Sequence, residues 1–525
     1  MSEPPAISAL LMLSRSACRF VALGRCVTRL VLMTVVLTAP ANGQTTRRNA
    51  KPIPAADVET QWRVIYLADK RIGYSRVTSS RLREGGRSVI RTVEETHMTV
   101  ARFGQHLKMD LRETIVESTA GQILRFEMSM KNPPSRSIES IGEVNGSQLT
   151  LSTTVADRVQ KSTKAWESDL RSTHYQDRLL KTRKLNTNET IELHVFLPQM
   201  NKSSKVTIKG EGERRTRLLD GRSHRLRRVS VSQDILPGQN MIAWQDAAGE
   251  IVKLEMPFLG STMATYIVDE AEALKAIGGA ELDLAVNTLV RLPKPLRNGH
   301  RSQRAVYRLS SSDPDALRII PGTSGIQETR LLSDRLVEIT VTRAKPPTGN
   351  RRLSVAEHYL EATQYLQSQD THVAQHASRA AGNELNQWRA ATAMEKYVFR
   401  KLRRKNFSTA LASAAEVAKD MSGDCTEHAV LLAAMLRNRR IPSRIAVGLV
   451  YVESQLGFGG HMWTEAMIDG QWIPLDATLG RGGIGAAHIK LADSAFADDG
   501  PSPVSTFLPL FNLLGNVKIE VVSAE

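Results

Sequence analysis

One cysteine of this sequence stands where a helix is predicted to begin. Cys425 lies in the stretch MSGDCTEHAVLLAAMLRNRR, and the apolar spacing after it predicts an amphipathic helix that reaches Arg440. Asp424 and Glu427 have the spacing of a capping box, with Ser422 as an alternative cap. Unsatisfied amides in the first turn of a helix favour a thiolate. Cys425 is therefore a candidate nucleophile, and the alternative is a small buried apolar residue.

A predicted hairpin further along the chain supplies a histidine and an aspartate. In HMWTEAMIDGQWIPLDATLG the Asp-Gly pair at 469–470 is a favoured two-residue turn, which sets Ile468 opposite Gln471. Counting outward makes His461 and Asp476 diagonal neighbours on one face, with Cβ atoms within roughly 7–8 Å of each other. An imidazole and a carboxylate at that separation can meet through their side chains.

The thiol, the imidazole and the carboxylate together satisfy one chemical hypothesis. Cys425 would be the nucleophile, His461 its base and Asp476 the group that orients the imidazole. His428 is a competing base, because it stands three residues after Cys425 and shares its helix face. A zinc site from Cys425, His428, His461 and Asp476 has acceptable ligand types, although paired CxxC or HxxxH spacing is missing.

The elements that would position these residues change character along the chain. From about Gln61 to Val268, alternating apolar and polar residues predict an antiparallel meander, as in a sandwich or an open barrel. RAVYRLSSSD and RLVEITVTRAKP predict further strands, and KPPTGNRRLS reads as a linker. After Ser354, SVAEHYLEATQYLQSQ and NELNQWRAATAMEKYVFRKL have helical spacing, and IPSRIAVGLVYVE returns to strand alternation. The chemistry therefore falls in a part of the chain where helices precede a sheet.

The first 43 residues have the order of a secretory signal. The ten-residue apolar run LVLMTVVLTA is followed by PANGQ and preceded by four arginines, Arg15, Arg19, Arg25 and Arg29. The run is short for a membrane-spanning helix, which needs ~20 residues, so an uncleaved anchor is the lesser alternative. Cys18 and Cys26 would leave with the signal, so no disulfide could form within the exported chain. We expect a periplasmic or extracellular protein.

Composition and charge indicate which kinds of molecule this protein could bind. The hydrophobic share of 41% and the charged share of 24% are ordinary for globular proteins, and 525 residues suggest two or three domains. The formal charge of +16 comes from lysines and arginines spread over the whole length, without a nucleic-acid-binding motif. We expect no nucleic-acid partner, and attraction to an anionic envelope polymer stays open.

Four pieces of the sequence resemble the transglutaminase-like superfamily of papain-like thiol enzymes. They are GDCTEHA, RNRRIPSRIAVGLVY, GHMWTEAMIDGQWIPLDATLG and GAAHIKLA, which lie in this order between residues 423 and 492. The resemblance implies that Cys425 is the nucleophile, His461 the base and Asp476 its orienter. It also implies a papain-like α+β catalytic domain, preceded here by a β-rich region that matches no domain of animal transglutaminases. The amide of Cys425 is the expected oxyanion donor, with Trp388 as a further candidate.

The resemblance and the composition together predict the following organisation and function. We expect a signal peptide at 1–43, a β-rich domain at 56–275, a small β-rich segment at 276–345 and the catalytic domain at 350–525. The expected activity is cysteine-dependent acyl transfer on protein or peptide amides, without a metal or organic cofactor. A thiol protease or amidase of the same fold is the alternative enzyme, and a non-catalytic binding protein is the alternative class. We expect the β-rich half to position a protein substrate, with Trp463 as a candidate wall of an acceptor site or else a core residue.

Overall fold

The structure is a computed structural model that describes residues 58–525 apart from 103, 132–136, 156, 237, 278–282, 284–287, 314, 352–353 and 405–410. The predicted signal sequence, with Cys18 and Cys26, lies outside the described residues. Of the helices in the described part, none has the length and apolar character needed to cross a bilayer.

The N-terminal half forms one antiparallel sheet of fourteen strands. Two meanders, β1–β8 and β9–β14, are joined side by side because β1 pairs with β14. The predicted antiparallel meander is thus confirmed, with its two parts joined in one continuous sheet. The strands of this sheet are β1 Val58–Leu67, β2 Lys70–Glu84, β3 Arg87–Arg102, β4 Gln105–Ser118, β5 Ile123–Lys131, β6 Ile138–Asn145, β7 Gln148–Val155, β8 Arg158–Ala165, β9 Thr190–Leu197, β10 Lys202–Arg217, β11 Ser223–Gln233, β12 Met241–Gln245, β13 Ile251–Phe258 and β14 Ser261–Val268.

Alternating side chains explain why this half folds as a sheet. On β10, Val206 and Ile208 are fully buried, whereas Lys205 and Lys209 on either side of them are exposed and Thr207 between them is half-buried. Side chains two residues apart share one face of a strand, so the apolar set can face the core while the lysines face water. A helix that the sequence did not predict, α1 at Thr173–Thr182, connects the two meanders.

Two smaller sheets make up the C-terminal half. One has the order β15-β20-β19-β22, with β21 paired to β20, and the other has the order β17-β18-β16-β23. The last strand of the chain therefore pairs with a strand that precedes the helices. The bounds are β15 Val290–Arg291, β16 Arg304–Ser311, β17 Gln327–Ser333, β18 Leu336–Thr342, β19 Ser443–Val452, β20 Gly457–Ile468, β21 Gln471–Leu475, β22 His488–Ser494 and β23 Val517–Ala524.

The helices of this half pack partly on one another and partly on the two sheets. The helix that starts at Cys425 is the most buried of them. From Thr426 to Arg437 every residue of that helix is buried, and it packs on β19 and β20. Its position is therefore fixed on all sides except at its first residue. The described helices after α1 are α2 Glu270–Ala273, α3 Asp315–Arg318, α4 Thr371–Ala381, α5 Gln387–Lys401, α6 Ala414–Asp420, α7 Cys425–Asn438 and α8 Leu508–Leu513. The α+β fold class is confirmed.

One helical prediction is wrong. The stretch SVAEHYLEATQYLQSQ contains only a short 3-10 turn at Glu357–Tyr359, and the first α-helix of this region begins at Thr371. The backbone instead bonds to other segments: the amide of Ala414 donates to the carbonyl of Tyr365, and the side chain of Gln367 accepts from the amide of Ala415. These tertiary hydrogen bonds replace the helical ones that the apolar spacing suggested.

Candidate active site

Cys425 is the first residue of α7, as the sequence predicts. The Asp424 side chain accepts from the amide of Thr426 at 2.9 Å, and the amide of Asp424 donates to Glu427 at 2.9 Å. This is the predicted capping box, so Asp424 rather than Ser422 is the cap. Cys425 is partly exposed, while the residues that follow it are buried. The thiol thus stands at the solvent-facing start of a rigid helix.

The predicted hairpin brings His461 to Asp476. The turn at 469–470 has positive φ at both residues, and Ile468 pairs with Gln471 as counted. Strand β21 ends just before Asp476, whose Oδ2 lies 2.8 Å from Nε2 of His461. Since a carboxylate only accepts, the imidazole donates through Nε2–H and its Nδ1 is left to face other groups.

Burial and charge make this contact an ion pair. Burial alone would lower the pKa of His461, but the charge and hydrogen bond of Asp476 and a hydrogen bond with Cys425 raise it from 6.5 to about 10. Burial would raise the pKa of Asp476, yet the charge of His461 and two histidine hydrogen bonds hold that pKa well below its usual value. The imidazole therefore favours its protonated form at neutral pH, in hydrogen-bond contact with Asp476 and in the same cleft as the thiol of Cys425.

A family comparison covers this part of the chain. Residues 371–477 match the model of the transglutaminase-like superfamily. These residues form a transglutaminase-like domain. The match includes Cys425, His461 and Asp476, and the resemblance seen in the sequence is confirmed. The matched region stops at residue 477, so the transglutaminase-like match does not extend to β22.

Comparisons over the whole chain find only distant similarity. A search among curated proteins gives no significant match. A candidate cysteine protease from Cytophaga hutchinsonii is 16% identical, with a TM-score of 0.26 over 42% of this chain and 86% of its own. A β-barrel-like protein of a domain of unknown function from Brucella abortus is 10% identical, with a TM-score of 0.27 over 40% of this chain and 96% of its own. A candidate protease from Parabacteroides distasonis is 11% identical, with a TM-score of 0.19 over 72% of this chain and 65% of its own. Scores this low do not establish a common overall fold.

His428, the competing base, is held against the backbone at the start of α7. It is buried, and its Nδ1 donates to the carbonyl of Asp424 at 2.5 Å. Among the residues that the structure describes, the four-ligand zinc set of Cys425, His428, His461 and Asp476 is not assembled. Ligand atoms of His461, Asp476 and His488 do lie within 4.8 Å of one another.

Two residues that contact Asp476 were not identified as site residues from the sequence. His488, on β22, places its Nε2 3.0 Å from the same Oδ2 of Asp476 that His461 contacts. Glu395, on α5, accepts from the amides of Asp476 at 3.1 Å and Gly483 at 3.2 Å. Burial raises the pKa of Glu395 to about 8, partly opposed by the hydrogen bond from Gly483. His488 is in a quoted motif but without a periodic or spacing signal, and Glu395 lies far upstream in an ordinary helical pattern.

A cleft of about 700 Å³ opens beside the thiol. Two exposed charged side chains on its walls are Glu453 and Arg481, neither of which has a hydrogen bond or ion pair to another described residue. The cleft residues are His300, Asp424, Cys425, Val450, Tyr451, Val452, Glu453, Ser454, Gly460, His461, Thr478, Leu479 and Arg481.

Neither tryptophan singled out in the sequence lines this cleft. Trp463 is 2% exposed and stacks on His461 with ring centroids 6.2 Å apart, so it is a core residue. Trp388 lies against the loop at Gly483, where a Cβ would be 3.6 Å from its ring. The backbone amide of Cys425, one of the helix-start amides without an intrahelical acceptor, remains the expected oxyanion donor.

Proposed function

We propose that this protein is an exported thiol enzyme that transfers the acyl group of a protein or peptide amide through a thioester on Cys425. The observation that carries the proposal is that His461 donates to Asp476 at 2.8 Å and lines the same cleft as the thiol of Cys425, which helps to raise the pKa of the imidazole. A protonated imidazole held in this way is set to deliver its proton to a leaving amine.

The reaction divides into two balanced halves. The thiolate of Cys425 attacks the amide carbonyl carbon, and the amide of Cys425 stabilises the oxyanion. The C–N bond breaks as His461 gives its proton to the departing nitrogen, which leaves as ammonia or an amine and leaves a thioester behind. An amine or water then attacks the thioester, gives its proton to His461 and expels the thiolate. Asp476 keeps the imidazole oriented in both halves.

The acyl acceptor is proposed to be an amine, with hydrolysis as the second candidate. Water is present at ~55 M, so transfer needs a site that orients the amine and partly excludes solvent. The cleft is walled by Val450, Tyr451 and Leu479 and offers such shelter. The β-rich half would then hold a polymeric substrate, with an envelope-associated protein as the proposed partner.

A labelled amine tests the proposal directly. The protein is incubated with a glutamine-containing polypeptide and a labelled primary amine, with and without a chelator, and Cys425→Ala serves as the matched control. Incorporation that survives chelation and disappears in the control supports amine transfer. Ammonia release or backbone cleavage without incorporation assigns an amidase or a protease. A binding protein would give no turnover and no adduct on Cys425 when envelope extracts are analysed by mass spectrometry.

A further inference from the structure

Two histidines share one oxygen of the proposed catalytic carboxylate. Oδ2 of Asp476 lies 2.8 Å from Nε2 of His461 and 3.0 Å from Nε2 of His488, and Oδ1 accepts from the amide of Thr478 at 2.8 Å. Because the carboxylate only accepts, both rings donate to it through Nε2–H. Asp476 is 1% exposed, so these three donors replace the water that an ionised carboxylate would otherwise bind.

The second histidine is held as a neutral donor. Burial lowers the pKa of His488 to about 4, and the hydrogen bond and charge of Asp476 oppose this only in part. The titratable groups around its ring are Asp476 after β21, His461 on β20 and His300 before β16, whose ring centroid is 5.9 Å away. His488 therefore bonds to Asp476 without adding a second positive charge that would compete with His461.

The frame around His488 is rigid. Its backbone is paired through Val450 on β19, and the edge of Trp463 packs against its ring at 5.3 Å between centroids. The side chain is 2% exposed, and it does not line the cleft. His488 can thus act on the cleft only through its neighbours, of which Asp476 is the one that it hydrogen-bonds.

We propose that His488 is a positioning residue, resting on the proposed function, whose hydrogen bond fixes the plane of the Asp476 carboxylate and moderates its pull on the His461 proton. Without this donor the carboxylate plane would be held only by the amide of Thr478 and by His461 itself, and more of the charge now shared among three donors would act on His461. The first effect misorients the imidazole. The second holds the imidazolium more tightly, so its proton is given up less readily to the leaving nitrogen.

Two substitutions distinguish the hydrogen bond that His488 donates from the volume that its ring fills. His488→Leu removes the donor, and His488→Gln can return an amide N–H to Asp476. With amine incorporation as the assay, His488→Leu should lower kcat by about 10- to 100-fold with little change in KM, the usual effect of a partner behind the reacting groups. His488→Gln should recover most of that loss. The alkaline limb of the pH profile should move to higher pH in His488→Leu.

Alkylation of Cys425 by iodoacetamide gives a readout that needs no substrate. In His488→Leu the pH dependence of alkylation should shift in the same direction as the kinetic profile, and in His488→Gln it should return towards the unaltered protein. If the protein catalyses no acyl transfer, this arm still tests the positioning role, so the two failures are distinguishable.

Three outcomes would overturn the proposal. One is an unchanged alkylation profile in folded His488→Leu. Another is equal damage from Leu and Gln in proteins with the same circular dichroism, which would mean that only ring packing counts. The third is a metal ion that is present in the purified protein and absent from the His488→Leu variant. That result would make His461, Asp476 and His488 a metal site. Should His488→Leu fail to fold, His488→Asn replaces it, because the asparagine side chain is too short for its amide to reach Asp476. The Gln variant should then be more active than the Asn variant.

Discussion

Cys425, His461 and Asp476, the proposed reactive group, lie at different depths. The thiol is partly exposed, whereas the imidazole and the carboxylate are 7% and 1% exposed. A buried ion pair is costly to desolvate and is stable only when its remaining hydrogen-bonding positions are filled. Here Thr478 and His488 fill those of the carboxylate, and an interaction with Cys425 helps to raise the pKa of the imidazole.

The charged imidazole gives the first prediction, which concerns thiol reactivity. We expect Cys425 to react with iodoacetamide at mildly acidic pH faster than a free thiol, because a neighbouring imidazolium and the helix-start amides favour the thiolate. The raised pKa of His461, about 10, keeps the imidazolium in place over this range, and the advantage shrinks as the pH rises through about 8.5, where a free thiol itself ionises. Rates are measured between pH 5 and 10 by mass spectrometry, with His461→Ala as the control. A profile identical in the two proteins would contradict the pairing.

The second prediction ranks the proposed roles. Asp476→Asn should keep the fold and lower turnover by a factor of roughly 10²–10⁴, because the imidazole loses the partner that sets its tautomer. His461→Ala should lower turnover at least as much, and His428→Ala much less per folded molecule, because Nδ1 of His428 is engaged with the backbone carbonyl of Asp424. The order is read from kcat after circular dichroism has established folding. A larger loss in His428→Ala than in His461→Ala would make His428 the base.

At the scale of elements, α5 supports the loop that carries Asp476. Glu395 accepts amides from both ends of the segment from Asp476 to Gly483. Gly480 has φ +61, and a Cβ there would collide with the ring of Phe399 on the same helix. The helix and the loop can approach this closely only because the loop has glycine at that point. The proposed orienter is therefore positioned from two sides, by α5 and by the sheet.

The third prediction follows from the raised pKa of Glu395. A carboxyl whose pKa rises from 4.5 to about 8 on folding gives stability that is complete below pH 4.5 and is lost as the pH rises towards 8. Glu395→Gln cannot ionise but can still accept both amides, so its free energy of unfolding should fall less between pH 5 and 8.5. Glu395→Ala leaves two buried amides without acceptors and should cost about 1–3 kcal/mol. Denaturant unfolding at several pH values measures both. A Gln variant as unstable as the Ala variant would contradict this account.

The cleft walls give the fourth prediction. Arg481 on the loop and Glu453 after β19 are exposed charges that face substrate space. Arg481→Gln should raise KM for a peptide with an acidic residue beside the reacting amide by about 2- to 5-fold, the range expected for an exposed ion pair. Arg215→Gln, which removes an equal charge from β10, is the matched control and should leave KM unchanged. Equal effects from the two variants would point to general attraction by the basic surface.

Local patterns predicted the elements that carry the thiol and the histidine. The cap at Asp424 and the Asp-Gly turn are short-range signals, and each fixed the position of a reactive side chain correctly. Glu395 and His488 carry no such signal, because they reach Asp476 only after helix and strand have packed. The same limit explains the wrong helix before Thr371, where tertiary hydrogen bonds replaced helical ones. Spacing along the chain shows which residues share a face but does not show what packs on that face.

At the scale of the whole molecule, the β-rich half and the C-terminal half touch through backbone. Gly260, in the turn between β13 and β14, and Gly515, before β23, are so close that a Cβ on either would lie within 3.0 Å of the other. The side chain of Gln364 also donates to the carbonyl of Thr153 on β7 at 2.6 Å. These contacts hold the large sheet beside the domain that carries the cleft, which the proposed handling of a polymeric substrate requires.

The last prediction tests that contact between the halves. Gly515 has φ +81 and Gly86, in the turn between β2 and β3, has φ +79, but a Cβ at Gly86 would meet no atom within 4 Å. Both Gly→Ala changes carry the left-handed backbone cost of roughly 1–2 kcal/mol, so any further loss in Gly515→Ala reports the contact. We expect Gly515→Ala to be the less stable protein in denaturant unfolding, and to be cut faster by protease at the turn that holds Gly260. Activity on a small amide should fall less than activity on a polypeptide, because only the longer substrate needs both halves. Equal stability and equal cleavage in the two variants would mean that the close approach of Gly260 and Gly515 does not hold the halves together.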